Sequence, residues 1–286
     1  MTGVMRGERM AYLELFEQTA GPVHVIQYAD EPVIPAAPIL AESIARTDAE
    51  REAIDDDLAG FLSEANARPA EWIFAGAALN ALHRTPLSDG YDILARGGLR
   101  RMGPADAVVL SASAEMGLMR HRKLGYTMGV HGFRVLRAGP NVGAWVNTAF
   151  ELEPRSVDDV ARDYRALLAA MRAEQGRLPK HVIIVDAMSS TGEDDIQNYQ
   201  AFDEPMGDLL AGVRARDMNL MLHDLAREND EVAIVDLDAI AADIGGQSNL
   251  PDGIHSSGAL QAELRGEVLR ILGARGVPGF GPATVS

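Results

Sequence analysis

A chain of 286 residues with 47% apolar and 24% charged residues has enough apolar material for a sizeable core, which excludes an intrinsically disordered protein. Its lack of any cysteine excludes disulfides, thiolate metal sites, iron–sulfur clusters and thiol nucleophiles together. A net charge of −16, from 26 Lys+Arg against 42 Asp+Glu, repels a phosphate backbone over most of the surface, so nucleic acid is not an expected partner.

The N-terminal stretch "MTGVMRGERMAYLELFEQTAG" sets charges among apolar residues at helical spacing, and it lacks the unbroken apolar run and small-residue cleavage site of a signal peptide. No uncharged apolar run reaches the roughly 18 residues that a bilayer span needs, so the expectation is a cytoplasmic protein without a membrane segment. "PVHVIQY" (22–28) reads as a strand, 41–67 as a charged helix, whole or broken in two, and "EWIFAGAALNALH" (71–83) as a strand-to-helix passage. "RTPLSDG" and "RGGLRRMG" punctuate the join to the segment from residue 105 onward. Residues 1–104 are therefore expected to form either an N-terminal extension or the first part of one α/β domain that continues over 105–286.

From residue 105 the pattern is regular. "ADAVVLSAS" (105–113) is a Val-rich buried-strand signal, and "FRVLRAG" (133–139) and "GAWVNTAFEL" (143–152) read as two more strands. Residues 155–176 form a clear helix, with Ser156 as N-cap, acids in the first turn and Gly176 as stop. "HVIIVDAM" (181–188) is a buried strand, 204–229 a long helix, "EVAIVDLDAI" (231–240) another strand, and 257–276 the last helix. Apolar strands alternating with helices imply a mostly parallel sheet covered on both faces. Such sheets carry reactive residues at the carboxyl ends of their strands, which selects 111–117, 146–150 and 252–255.

These three places hold a set of groups suited to acyl transfer. A serine hydroxyl becomes a nucleophile when a histidine oriented by a carboxylate takes its proton. Ser113 ends the first of these strands, and "DGIH" supplies Asp252 and His255 in one loop before an amphipathic helix. Asn147, with backbone N–H groups after Ser113, could donate to the oxyanion. The bland readings are a small residue at a crowded strand end, an Asn satisfying its own loop, and a polar surface turn.

The arrangement resembles the SGNH/GDSL hydrolase superfamily, whose blocks are Gly-Asp-Ser, a glycine, Gly-x-Asn-Asp and a terminal Asp-x-x-His. "DGIH" matches the last block in full, "SASAEMG" matches the first in position with Ser111 and Ala112 in place of Gly-Asp, and "VNT" keeps Asn147 of the third. Gly139 is the candidate for the glycine block. The resemblance covers about residues 105–275 and implies a three-layer α/β/α fold with a mostly parallel, flavodoxin-like sheet. It implies an esterase or acyl hydrolase, or an acyltransferase, acting on a small acyl or ester substrate with no metal or organic cofactor. A second alignment places 22–28 as the first strand, with Ala29-Asp30-Glu31 at the nucleophile position and Gly76 in the glycine block. On that alignment the chain is a degenerate relative that binds a ligand or a protein through the same cleft.

Other motifs are weaker. "RHRKLGY" (120–126) is either an anion site for a substrate carboxylate or phosphate, or a salt-bridged helix face. "TGEDDIQNY" (191–199) holds consecutive acids without a nearby His and reads as a solvated loop, and His131, between Gly-rich neighbours, as a turn residue. No GxGxxG or Walker pattern occurs, and the Met-rich part of the 204–229 helix reads as packing against the sheet.

Overall fold

The structure, a computed structural model, describes residues 33, 36–83, 91–92, 100–101, 106–112, 118–130, 132–175, 181–187, 207–249, 257–277 and 280. In chain order the helices are α1 (Ala37–Ala45), α2 (Asp48–Glu64), α3 (Pro69–His83), α4 (Gly132–Ala138), α5 (Pro140–Ala149), α6 (Val157–Gln175), α7 (Gly207–Glu228), α8 (Leu237–Asp243) and α9 (Gly258–Ala274). The strands are β1 (Tyr91–Asp92), β2 (Arg100–Arg101), β3 (Ala107–Ser111), β4 (Met119–His121), β5 (Thr127–Met128), β6 (Phe150–Leu152), β7 (His181–Val185) and β8 (Val232–Val235). A 3-10 turn spans Gly246–Asn249. The chain passes alternately through two compact units, Gln27–Asp89 with Ala114–Arg177, and Met1–Ile26 with Gly90–Ser113 and Leu178–Ser286.

The first, mainly helical unit holds α1 to α6 and a small antiparallel sheet ordered β5-β4-β6. The charged stretch 41–67 is two helices, broken at Arg46 and Thr47. Thr47 starts α2 through a capping box: its hydroxyl accepts the Glu50 N–H while Glu50 accepts the Thr47 N–H. Ser156 and Asp159 close the same reciprocal pair at the start of α6, with Asp159 receiving the Ser156 N–H at 2.8 Å. Leu58, Leu62, Leu82, Leu118, Met128 and Trp145 form the centre of this unit's core.

Four readings are corrected here. Residues 71–83 are helical throughout, because Pro69 begins α3 and the Ala-rich stretch after it is strongly helix-forming. Residues 133–138 lie in α4, and 143–149 lie in α5 with β6 directly after it. Val142 and Trp145 are both buried at helical spacing, so tertiary burial on one helix face overrides the β-type composition of this stretch. The strand expected over 231–240 ends at Val235, where Asp236 caps α8 by accepting the Ala239 N–H at 2.8 Å.

The second unit contains a parallel sheet ordered β3-β7-β8. Ser111 is paired with Val185, and Val185 with Val235, so the three carboxyl ends lie level. Residues 182–185 of β7 are all buried, as expected of a central strand covered on both faces. Leu264, Val268, Ile271 and Leu272 of α9 pack with Ile183, Val185 and Val235. The direction of α9 is fixed at its far end, where Arg275 donates to the carbonyls of Asp230 and Val232, both at 2.8 Å, at the amino end of β8. α9 therefore runs antiparallel to β8, and its first turn lies toward the carboxyl edge. The molecule is a mixed α/β protein with a small parallel sheet of three strands, and no described helix is long and apolar enough to cross a membrane.

Candidate functional site

The carboxyl edge of the parallel sheet gathers the groups of chemical interest. On β3 it presents the half-buried Ser111, with the buried Ala112 next in the chain. Ser113, Asp252 and His255 lie outside the described residues. The chain on either side of 250–256 is nonetheless defined. Asn249 ends the 3-10 turn, its carbonyl accepts the Ser257 N–H at 2.7 Å, and its side-chain oxygen accepts the Ser257 hydroxyl at 2.9 Å. Ser257 in turn caps α9 by accepting the Leu260 N–H at 3.1 Å. Asn249 and Ser257, the described residues nearest "DGIH" in the chain on its two sides, are thus bonded to each other at the start of α9.

The middle and outer strands each end in an aspartate. Asp186 comes directly after β7 and is only 2% exposed, while Asp236 comes directly after β8 and is half-buried. The ladder continues to Asp186, whose N–H donates to the Val235 carbonyl at 3.1 Å, and its Oδ1 accepts the Leu237 N–H at 2.8 Å. Asn219, buried on α7, grips the next residue twice: its Oδ1 accepts the Ala187 N–H at 3.1 Å and its Nδ2 donates to the Ala187 carbonyl at 2.8 Å. An amide that copies a strand partner in this way fixes the backbone on which Asp186 stands. One turn along α7, His223 brings an imidazole to the same place: ligand atoms of Asp186, His223 and Asp236 all lie within 4.8 Å of one another. Burial pushes the Asp186 carboxyl up to about 7, the Leu237 N–H opposes this, and Asp236 and Asp238 add repulsion.

Asn147 is not at a strand end. It lies on the exposed side of α5 in the helical unit, so the strand-end premise for its oxyanion role is overturned. Gly139 is the N-cap of α5, with φ of 147°, and its Cα sits against the Glu71 carboxylate, where a Cβ would collide. Glu71 accepts the N–H groups of Arg68 and Asn141 at 2.8 Å each and the Asn141 side-chain amide at 3.0 Å. Gly139 therefore serves a helix corner. Gly76, the glycine of the second alignment, lies within α3.

The "RHRK" stretch is β4 and a turn instead of a helix, and it is largely occupied. Arg120 bonds Thr127 and Glu42, and Arg122 bonds Glu151 and the Phe150 carbonyl. His121 is buried, with Nε2 3.1 Å from Asp57 Oδ2 and Nδ1 accepting the Leu124 N–H at 3.0 Å. Trp145 donates to the same Asp57 oxygen at 3.2 Å, and Tyr126 stacks on His121. These are core interactions. Met218 of α7 is buried, as the packing reading expects; 191–199 and His131 lie outside the described residues.

Asp186, Asn219, His223 and Asp236 were passed over in the sequence. The signal for two of them was present: "IIVDA" and "AIVDL" are apolar strands that both end in Val-Asp. Comparison with family models, with curated proteins and with solved structures gives no match.

Proposed function

We propose that the carboxyl edge of the β3-β7-β8 sheet is an acyl-transfer site and that the protein is a serine hydrolase or acyltransferase of SGNH type on a three-layer α/β/α frame. One observation carries this reading. Because α9 runs back along β8, its first turn, which follows Asp252 and His255 in the chain, lies toward the edge at which β3 ends, and Ser113 comes two residues after that strand in the chain. A strand-end serine and a helix-leading Asp-x-x-His on one edge are what a Ser-His-Asp relay requires.

In this reading the Ser113 hydroxyl attacks the carbonyl carbon of an ester or other acyl group while His255 takes its proton, and Asp252 orients the imidazole. The tetrahedral oxyanion is held by backbone N–H groups after Ser113, a role for which the exposed, helical Asn147 is not used. Collapse breaks the bond to the leaving alcohol, which takes the proton from His255. Water or a second acceptor then attacks the acyl-serine, returning the hydroxyl to Ser113.

Incubation of the folded full-length chain with a fluorophosphonate probe, and then peptide mass spectrometry, tests this. Labelling at Ser113 that is lost in His255→Ala is the expected result. Absence of labelling in folded protein overturns the hydrolase and leaves the ligand-binding reading, which the Ser111-Ala112 sequence before Ser113 favours.

A further inference from the structure

We propose that Asp186, His223 and Asp236 form a binding site for a first-row divalent cation at the carboxyl ends of β7 and β8. This goes beyond the acyl-transfer reading and does not depend on it.

Three separate elements deliver the donors: the end of β7, the cap of α8 and the body of α7. Their ligand atoms already lie within 4.8 Å of one another. Bound to a metal at about 2.0–2.2 Å, donors stand roughly 3–4 Å apart, so the three need to close by about an ångström. His223 is exposed, and a small change of its rotamer supplies that movement. Two carboxylates and an imidazole form a borderline donor set suited to zinc or manganese, and three protein ligands leave coordination positions open to water or substrate.

The second, independent observation is the burial of Asp186 with few donors around it. A carboxylate this buried is ordinarily matched by a cation or by several hydrogen bonds. Asp186 has the single Leu237 N–H, on Oδ1, and among the described residues no arginine, lysine or second donor meets its other oxygen. Asp236 commits one oxygen to its helix cap and keeps the other. The His223 ring makes no hydrogen bond with any described residue. The double grip of Asn219 on Ala187 holds the Asp186 backbone rigid, as the outer partners of metal ligands do. Asp236 and Asp238 add repulsion at the Asp186 carboxylate.

The test is calorimetric titration of chelator-treated full-length protein with Mn2+ and, separately, Zn2+, with bound metal counted by elemental analysis after dialysis. The expected result is one ion per chain, with affinity falling by roughly tenfold or more in His223→Gln and in Asp236→Asn. Both variants are expected to fold: His223 is exposed, and Asn keeps the helix cap. Asp186→Asn is expected to abolish binding. No stoichiometric binding would overturn the proposal and leave Asp186 as an acid that carries a proton. Binding of equal strength in the wild type, His223→Gln and Asp236→Asn would also overturn it, by placing the ion elsewhere on the acidic surface.

Discussion

Glu71 in the helical unit and Asp186 in the sheet unit are the two fully buried acids among the described residues, at 0% and 2% exposure. Glu71 is enclosed by three N–H donors from Arg68 and Asn141, with the Arg68 amide contributing most, and its carboxyl is held below the usual range. Asp186 has one donor and two acidic neighbours, and burial carries its carboxyl up to about 7. A buried acid whose hydrogen bonds are complete is a fastener. One left with an open oxygen beside an imidazole is a place for a proton or a ligand.

The largest expected effect separates these two acids by pH. The folded pKa of Asp186 is raised, so its favourable contribution is complete below the unfolded value of about 3.9 and is lost as pH rises through about 7. In metal-free protein this removes roughly 4 kcal/mol of stability between about pH 4 and 8. Urea unfolding across that range should show a downward slope in the wild type that is absent from Asp186→Asn; matching slopes would mean that Asp186 titrates as an ordinary acid. Glu71 has the opposite sign. Its pKa is depressed, so its contribution is complete above the unfolded value and is lost only as pH falls through the folded one.

Next in size is Gly139→Ala, which adds a methyl against the Glu71 carboxylate at a φ that L-residues rarely adopt. A loss of about 3 kcal/mol is expected in denaturant unfolding, and a loss below about 1 kcal/mol would show that the α4–α5 corner is not held by this contact. The smallest effect is expected for Asn147→Ala. The side chain is exposed on α5, so stability should stay within about 0.5 kcal/mol and fluorophosphonate labelling should be unchanged. A large loss of labelling would return Asn147 to the oxyanion role.

Much of the sheet unit was legible along the chain. β3, β7, β8, α7 and α9 arise from apolar runs and periodic helices whose local signals agree with their tertiary setting. Their acidic ends were harder to read, because with 42 acids in the chain no single aspartate stands out. The helical unit was misread where aromatic and β-branched residues in 133–149 imitate strands, since only the common burial of Val142 and Trp145 reveals the helical face.

The sequence by itself determined the alternation of apolar strands and amphipathic helices, the capping boxes at Thr47 and Ser156, and the Asp-x-x-His segment ahead of α9. These are local patterns, set by side chains within a few residues of one another. Tertiary structure decided which acid is closed by donors and which stays open. The Asn141 amides that close Glu71 come from α5, and the groups that surround Asp186 come from α7 and α8. The local Arg68 N–H begins to close Glu71, but the groups that complete or leave open a buried acid come from elements distant in sequence, and no local pattern carries that information.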